Sequence, residues 1–117
     1  MSKTSRKSEI RAAIKKSSTR LKLGRTPTYL DATSSGGDEI TKTELLEIAA
    51  YWEYPVFEVQ CNPGYYDILV VYVVAEYENA ALAEALDWFA HKYYDGDQDM
   101  VIEEGVGPAA IREIWSP

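Results

Sequence analysis

Hydrophobic positions along the chain fall into one unbroken block and several periodic segments. From Ile68 to Ala75, both alternate sets are apolar, Ile68, Val70, Tyr72 and Val74 against Leu69, Val71, Val73 and Ala75. This predicts a strand, within residues 66–77, covered on both faces. Asn79 then offers a cap for a helix over 80–94, in which Leu82, Ala85, Leu86, Phe89, Ala90 and Tyr93 share one face. Glu84, Asp87 and Trp88 fall on the opposite face.

Upstream, Thr41 and Glu44 have the spacing of a capping box, and Leu45, Ile48, Ala49 and Trp52 follow at helical intervals. A helix over 42–53 with Trp52 on its core side is expected, ended by Pro55. Residues 56–61 alternate Phe57, Val59 and Cys61 with Glu58 and Gln60, the pattern of a half-buried strand. Asn62-Pro63-Gly64 presets a turn, and Ser34-Ser35-Gly36-Gly37-Asp38 reads as a loop. Residues 27–32 and 99–104 complete a βαββαβ order, after an exit from the helix at Gly96. Gly105 to Pro108 break the last strand, and residues 108–115 suit either a short helix or a strand. The expected class is α+β, a two-layer sandwich with an antiparallel sheet and two main helices, ferredoxin-like in order. The doubly apolar central strand demands a cover on its second face: the N-terminal helix, the C-terminal segment or a second subunit.

Composition fits one globular domain: 117 residues, 46% apolar, with nine Tyr, three Trp and two Phe. Charge changes the picture more. Net charge is −7, yet residues 1–25 carry nine Lys/Arg against Glu9 alone, a net +8, and the other 92 residues carry −15. The chain therefore divides into a basic N-terminal arm, 1–25, and an acidic domain, 26–117. In the arm, Ile10, Ala13, Ile14, Ser17 and Leu21 mark one face of a short helix over 9–22, with Gly24 as its terminator. Alone that helix is marginal and needs a surface to be ordered. Because the expected core residues (Leu45, Ile48, Trp52, Val70, Val71, Val73, Leu82, Leu86, Phe89) lie beyond residue 40, the domain is expected to fold without the arm.

Candidate chemistry is sparse. Asp95, Asp97 and Asp99 have the spacing that opens a calcium loop, but Met100 and Val106 stand where its glycine and closing glutamate belong. Cys61 and His91 are single residues of their types. The first is expected buried and inert and the second exposed. Glu103 and Glu104, adjacent on an expected strand, point to opposite faces and form no acid–base pair. Phosphate-loop, dinucleotide, nucleophile-elbow and zinc-protease motifs are absent, as is the aromatic pattern of an RNA-recognition sheet. No enzyme, metal or cofactor is expected. A lone cysteine, no apolar run of membrane length and no signal-like start fit an intracellular, cytoplasmic setting without membrane partners.

Tyrosines 51, 54, 65, 66, 77 and 94 lie at element ends, several beside acids. Tyrosine supplies rigid contact area at small entropic loss. The leading expectation is a non-enzymatic protein-binding module whose acidic body docks on a basic partner, as a small phage- or plasmid-type inhibitor or nucleic-acid mimic does. Its contact face is expected at Tyr77, Glu84, Asp87, Trp88, Tyr94, Asp95 and Asp97. The alternative is an assembly component, of a virion or another large complex. Its basic arm (Arg6, Lys7, Arg11, Lys15, Lys16, Arg20, Lys22) would touch nucleic acid or an acidic neighbour. Charge layout alone fixes no oligomeric state.

Overall fold

Both apolar faces of the central strand are covered by helices, so the molecule has three layers rather than two. The computed structural model describes residues 3–33, 38–64 and 68–117, with side chains from Ser5 onward. Residues 34–37, within the expected loop, and Tyr65, Tyr66 and Asp67 lie outside the described residues. The elements run α1 (Lys3–Leu21), β1 (Thr28–Asp31), β2 (Glu39–Ile40), α2 (Lys42–Trp52), β3 (Val56–Asn62), β4 (Leu69–Val74), α3 (Glu78–Tyr93), α4 (Gln98–Glu103) and β5 (Gly107–Trp115). The sheet order is β2-β1-β4-β3-β5. β1 runs parallel to β4, pairing Leu30 with Val73, and the other pairs are antiparallel.

The class is α+β, but the antiparallel, ferredoxin-like expectation gives way to a mixed five-stranded sheet with four helices. The segment expected as the last strand is helix α4. The Asp97 carboxylate accepts from the Met100 N–H at 3.1 Å and caps it, Asp99 sits in its first turn, and Val101 alone is buried. Residues 107–115, left open between helix and strand, form β5 along β3. Gly107 enters that strand at φ +89°, where a Cβ would lie 2.7 Å from the Val101 side chain. Glycine therefore lets β5 pass directly beneath α4.

One core lies between the sheet and α3/α4: Leu30, Phe57, Val59, Val71, Val73, Ala85, Phe89 and Val101 are among its members. The other lies between the sheet and α1/α2, with Ile10, Ile14, Leu45, Ala49, Val56, Val70, Tyr72 and Trp115. The α2 capping box is present as expected. Its buried stripe, however, is Leu45, Leu46, Ala49 and Ala50, because α1 packs alongside. Trp52, expected in the core, is 56% exposed.

The basic segment is thus not an arm apart from the body. α1 is longer than the expected 9–22 and buries Ile10 and Ile14 fully on the sheet. It ends before Gly24: Lys22 takes the left-handed conformation at φ +54°, and the Leu23 N–H returns to the Ser18 carbonyl at 3.3 Å. That is a Schellman turn built on lysine. α3 likewise starts before Asn79, at Glu78, with Tyr77 in the N-cap position and no side-chain cap.

These contacts place α1 in the core and lead to the opposite prediction, that residues 26–117 need α1 to fold. Deleting residues 1–25 removes Ile10 and Ile14 from the core they share with α2 and the sheet, strands Glu58 without Ser17 and Arg20, and should abolish the cooperative thermal transition. Ile10→Ala should destabilise the full chain by about 2–4 kcal/mol in denaturant titration.

Candidate functional site

The most unusual group in the structure is Glu58, a carboxylate with 0% exposure in the middle of the sheet. Strand alternation places it on the α1 face, paired across the sheet with Tyr72 on one side and Arg112 on the other. A buried carboxylate must be matched by donors, and α1 supplies them. Arg20 Nη2 donates to both carboxylate oxygens at 2.8 Å, and Ser17 Oγ donates to Oε2. From its own strand, Gln60 Nε2 donates to Oε1 at 2.9 Å. Tyr72 Oη donates to Ser17 Oγ at 3.0 Å and lies 3.0 Å from Ser18 Oγ. Each hydroxyl donates once in the direction Ser18, Tyr72, Ser17, Glu58. Burial alone raises the Glu58 pKa, but the Ser17, Arg20 and Gln60 hydrogen bonds and the Arg20 charge outweigh it, so the carboxyl titrates below its ordinary range.

Beside this network a cavity of about 490 Å³ opens between α1 and β5, with Glu9, Lys16, Arg20, Glu58, Arg112 and Glu113 on its walls. Three cations face three carboxylates, so its charge cancels. The Glu58 carboxylate is saturated by donors and holds no free lone pair aimed at a proton to abstract. Its role is to fix α1. The strand pattern assigned Glu58 to solvent because polar alternation ordinarily marks the wet face of a sheet. The signal that could have found it is the demand for a cover on that same face.

Two further ties secure the helix. Arg6 pairs with Glu53 at 2.5 Å and reaches the Ala50 carbonyl at 3.4 Å, placing a cation at the C-terminal end of α2. Trp115 Nε1 donates to Glu9 at 3.2 Å. Arg6 and Arg20 are therefore internal partners. Lys7, Arg11, Lys15, Lys16 and Lys22 make no ion pair among the described residues. Lys7, Arg11 and Lys15 recur every four positions, a line spanning about 12 Å along α1.

The expected acidic contact face is only partly a surface. Trp88 is 5% and Glu84 9% exposed, so the placement of both opposite the core is corrected. The reason is steric: Ala81 and Ala85 lie against the sheet, and this turns Trp88 inward while Leu82 and Leu86 are left half-buried. Asp87 accepts from Gln98 at 3.2 Å and lies 3.5 Å from His91. Tyr94 stacks on Phe89 and donates to Glu104 at 2.5 Å. Asp97 is the α4 cap. Glu103 and Glu104 close a helix rather than alternate on a strand. Tyr77 and Asp95 remain exposed, with Tyr77 at 57%. Met100 and Ile102 on α4 are exposed apolar side chains that the sequence pattern did not single out.

Among the described residues no three His, Cys, Asp or Glu side chains gather where a metal ion could be held. Cys61 is fully buried and its thiol is pushed up to about 12 by burial, far from a reactive thiolate. His91 is exposed. No described helix is long and apolar enough to cross a membrane.

The Glu58 network carries a testable pH signature. Arg20→Ala strands a buried carboxylate and should cost roughly 2 kcal/mol, less than a fully buried pair because Arg20 is 41% exposed. Arg11→Ala on the open face should stay within about 0.5 kcal/mol. The folded pKa of Glu58 is lowered, so its stabilisation is complete above the ordinary carboxyl value near ~4.3 and fades as pH falls through the folded value. The stability gap between the parent and Glu58→Gln should accordingly narrow in chemical denaturation below about pH 4.

Compared with protein-family models, with curated proteins and with solved structures, the chain matches none.

Proposed function

We propose that this protein is a non-enzymatic binding module whose cationic α1 face engages a polyanion, the sugar-phosphate backbone of a nucleic acid, as part of a larger assembly. The observation carrying this reading is the division of labour along α1. Arg6 and Arg20 are used internally to fix the helix, whereas Arg11, Lys15 and Lys22 are exposed and Lys7 is half-buried at the edge of α2, all four without ion-pair partners among the described residues. A rigid, pre-ordered row of cations binds phosphates without the ordering entropy a flexible arm loses. Four such contacts predict a log–log salt slope of about −3 on single strands and somewhat steeper on duplex.

A second reading, in which an acidic surface meets a basic protein, is favoured by one observation. On the opposite side of the sheet, Tyr77 is exposed between Glu76 and Glu78 at the start of α3, and Met100 and Ile102 are exposed on α4 beside Asp99 and Glu103. Exposed apolar side chains flanked by acids suit a protein partner.

Salt-titrated fluorescence anisotropy with a labelled oligonucleotide separates them. Arg11→Glu with Lys15→Glu should weaken binding at least tenfold at about 0.1 M salt and flatten the slope. Tyr77→Ala with Ile102→Ala should leave it unchanged. Undiminished binding by the α1 variant sinks the first reading. Lost affinity for a cationic peptide in the second variant would favour the other.

A further inference from the structure

A groove between α1 and α2 continues the cationic row into an aromatic surface. It is shallow and open, about 360 Å³, and is lined by Lys7, Glu47, Ile48, Tyr51 and Trp52. Tyr51 is 61% and Trp52 56% exposed, at a helix end whose packing is already met by Leu45, Leu46, Ala49 and Ala50. The two rings are held rather than loose. Trp52 stacks on Tyr54 with centroids 6.4 Å apart and meets Tyr51 edge-on at 4.9 Å. Below them, the Arg6–Glu53 pair pins the end of α2 to α1.

We infer that this groove is a stacking platform for single-stranded nucleic acid. Resting on the α1 reading above, it names the class of polyanion. Unstacked bases present π-faces that a duplex hides, and exposed aromatic rings beside a row of cations are the arrangement that holds them. Phosphates run along Lys7, Arg11 and Lys15, and bases turn toward α2. Glu47 repels phosphate, which keeps the backbone on the α1 side, and its carboxylate can accept from exocyclic amines of bases. An acidic protein surface would meet the same cations but supply no bases to the exposed faces of the rings.

Trp88 and Trp115 are buried, so quenching of tryptophan emission reads Trp52. A thymidine oligonucleotide of about 12 nucleotides should quench emission saturably and bind more tightly than a duplex of equal length. Trp52→Ala should weaken binding roughly 5- to 100-fold, Trp52→Phe should retain most of the affinity, and Tyr51→Ala should show an intermediate loss. Lys7→Glu should reduce the salt slope by about 0.7 or more. Equal binding of strand and duplex, without quenching and unaffected by Trp52→Ala, overturns the stacking inference while leaving the α1 reading intact. No binding to either at about 20 mM salt overturns both. Emission that changes with protein concentration alone, alongside a sedimentation shift, identifies the groove as a contact between copies and also overturns the inference. If Trp52→Ala melts differently from the parent, Trp52→Phe and Tyr51→Ala decide the question.

Discussion

A buried carboxylate can persist only where donors surround it, and that constraint on Glu58 organises half of the molecule. Its donors come from Ser17 and Arg20 on α1 and Gln60 beside it. Helix α1 is otherwise a poor candidate for order: basic along most of its length, with Ile10 and Ile14 as its fully buried apolar residues. Two isoleucines contribute a few kcal/mol, which scarcely offsets fixing nineteen residues. The carboxylate adds direction to that burial. Apolar contact would tolerate a helix sliding or rotating on the sheet, whereas the two-oxygen Arg20 contact and the Ser18–Tyr72–Ser17 hydroxyl chain accept one register. A buried ion pair is weak ground for stability, and its better-attested use is in fixing register.

That registration decides which cations point outward. Arg20 is turned to Glu58 and Arg6 to Glu53, so Arg11 and Lys15 are left exposed, with half-buried Lys7 at the head of the row beside Trp52. The rings at the end of α2 stand at the mouth of the groove because α1 occupies the position beside α2 that a core-facing Trp52 would need. Site and fold are therefore linked through the same helix.

Much of the fold was legible in the chain. The doubly apolar run at 68–75 demanded cover on two faces, which it has except at Ile68, 51% exposed before β4 begins; the Thr41–Glu44 box marked α2, and Asn62-Pro63-Gly64 marked a turn, with Gly64 at φ +84°. What failed did so for identifiable reasons. Val101 and Ile102 are β-branched and strand-preferring, and that preference hid the cap at Asp97. Glu58 and Trp88 were placed outside because periodicity assigns polar alternates and off-stripe residues to solvent. Glu58 is instead neutralised by a helix remote in sequence, and Trp88 turns in because alanines set the orientation of α3. The parallel pairing of β1 with β4 has no local sequence signal. Of the site, the basic residues were legible as a group. Their division into internal and free members was not, since it depends on long-range partners.

The charge layout then bears on how a net-negative protein presents a cationic surface. Residues 3–25 carry nine cations against Glu9, and residues 76–104 carry nine acids against Lys92. The sheet stands between these layers. With layer spacings of roughly 10 Å, a phosphate at α1 sits about 20 Å or more from the acids of α3 and α4. At physiological ionic strength the Debye length is about 8 Å, so that repulsion is screened over more than two decay lengths while the α1 cations act at contact. The near charges win, and the far ones set orientation: a polyanion approaching the α3/α4 side is turned away, and one approaching α1 is not. For the proposed polyanion contact, the α3/α4 acid layer would thus favour approach from the α1 side, while Glu47 on neighbouring α2 bounds the cationic surface there.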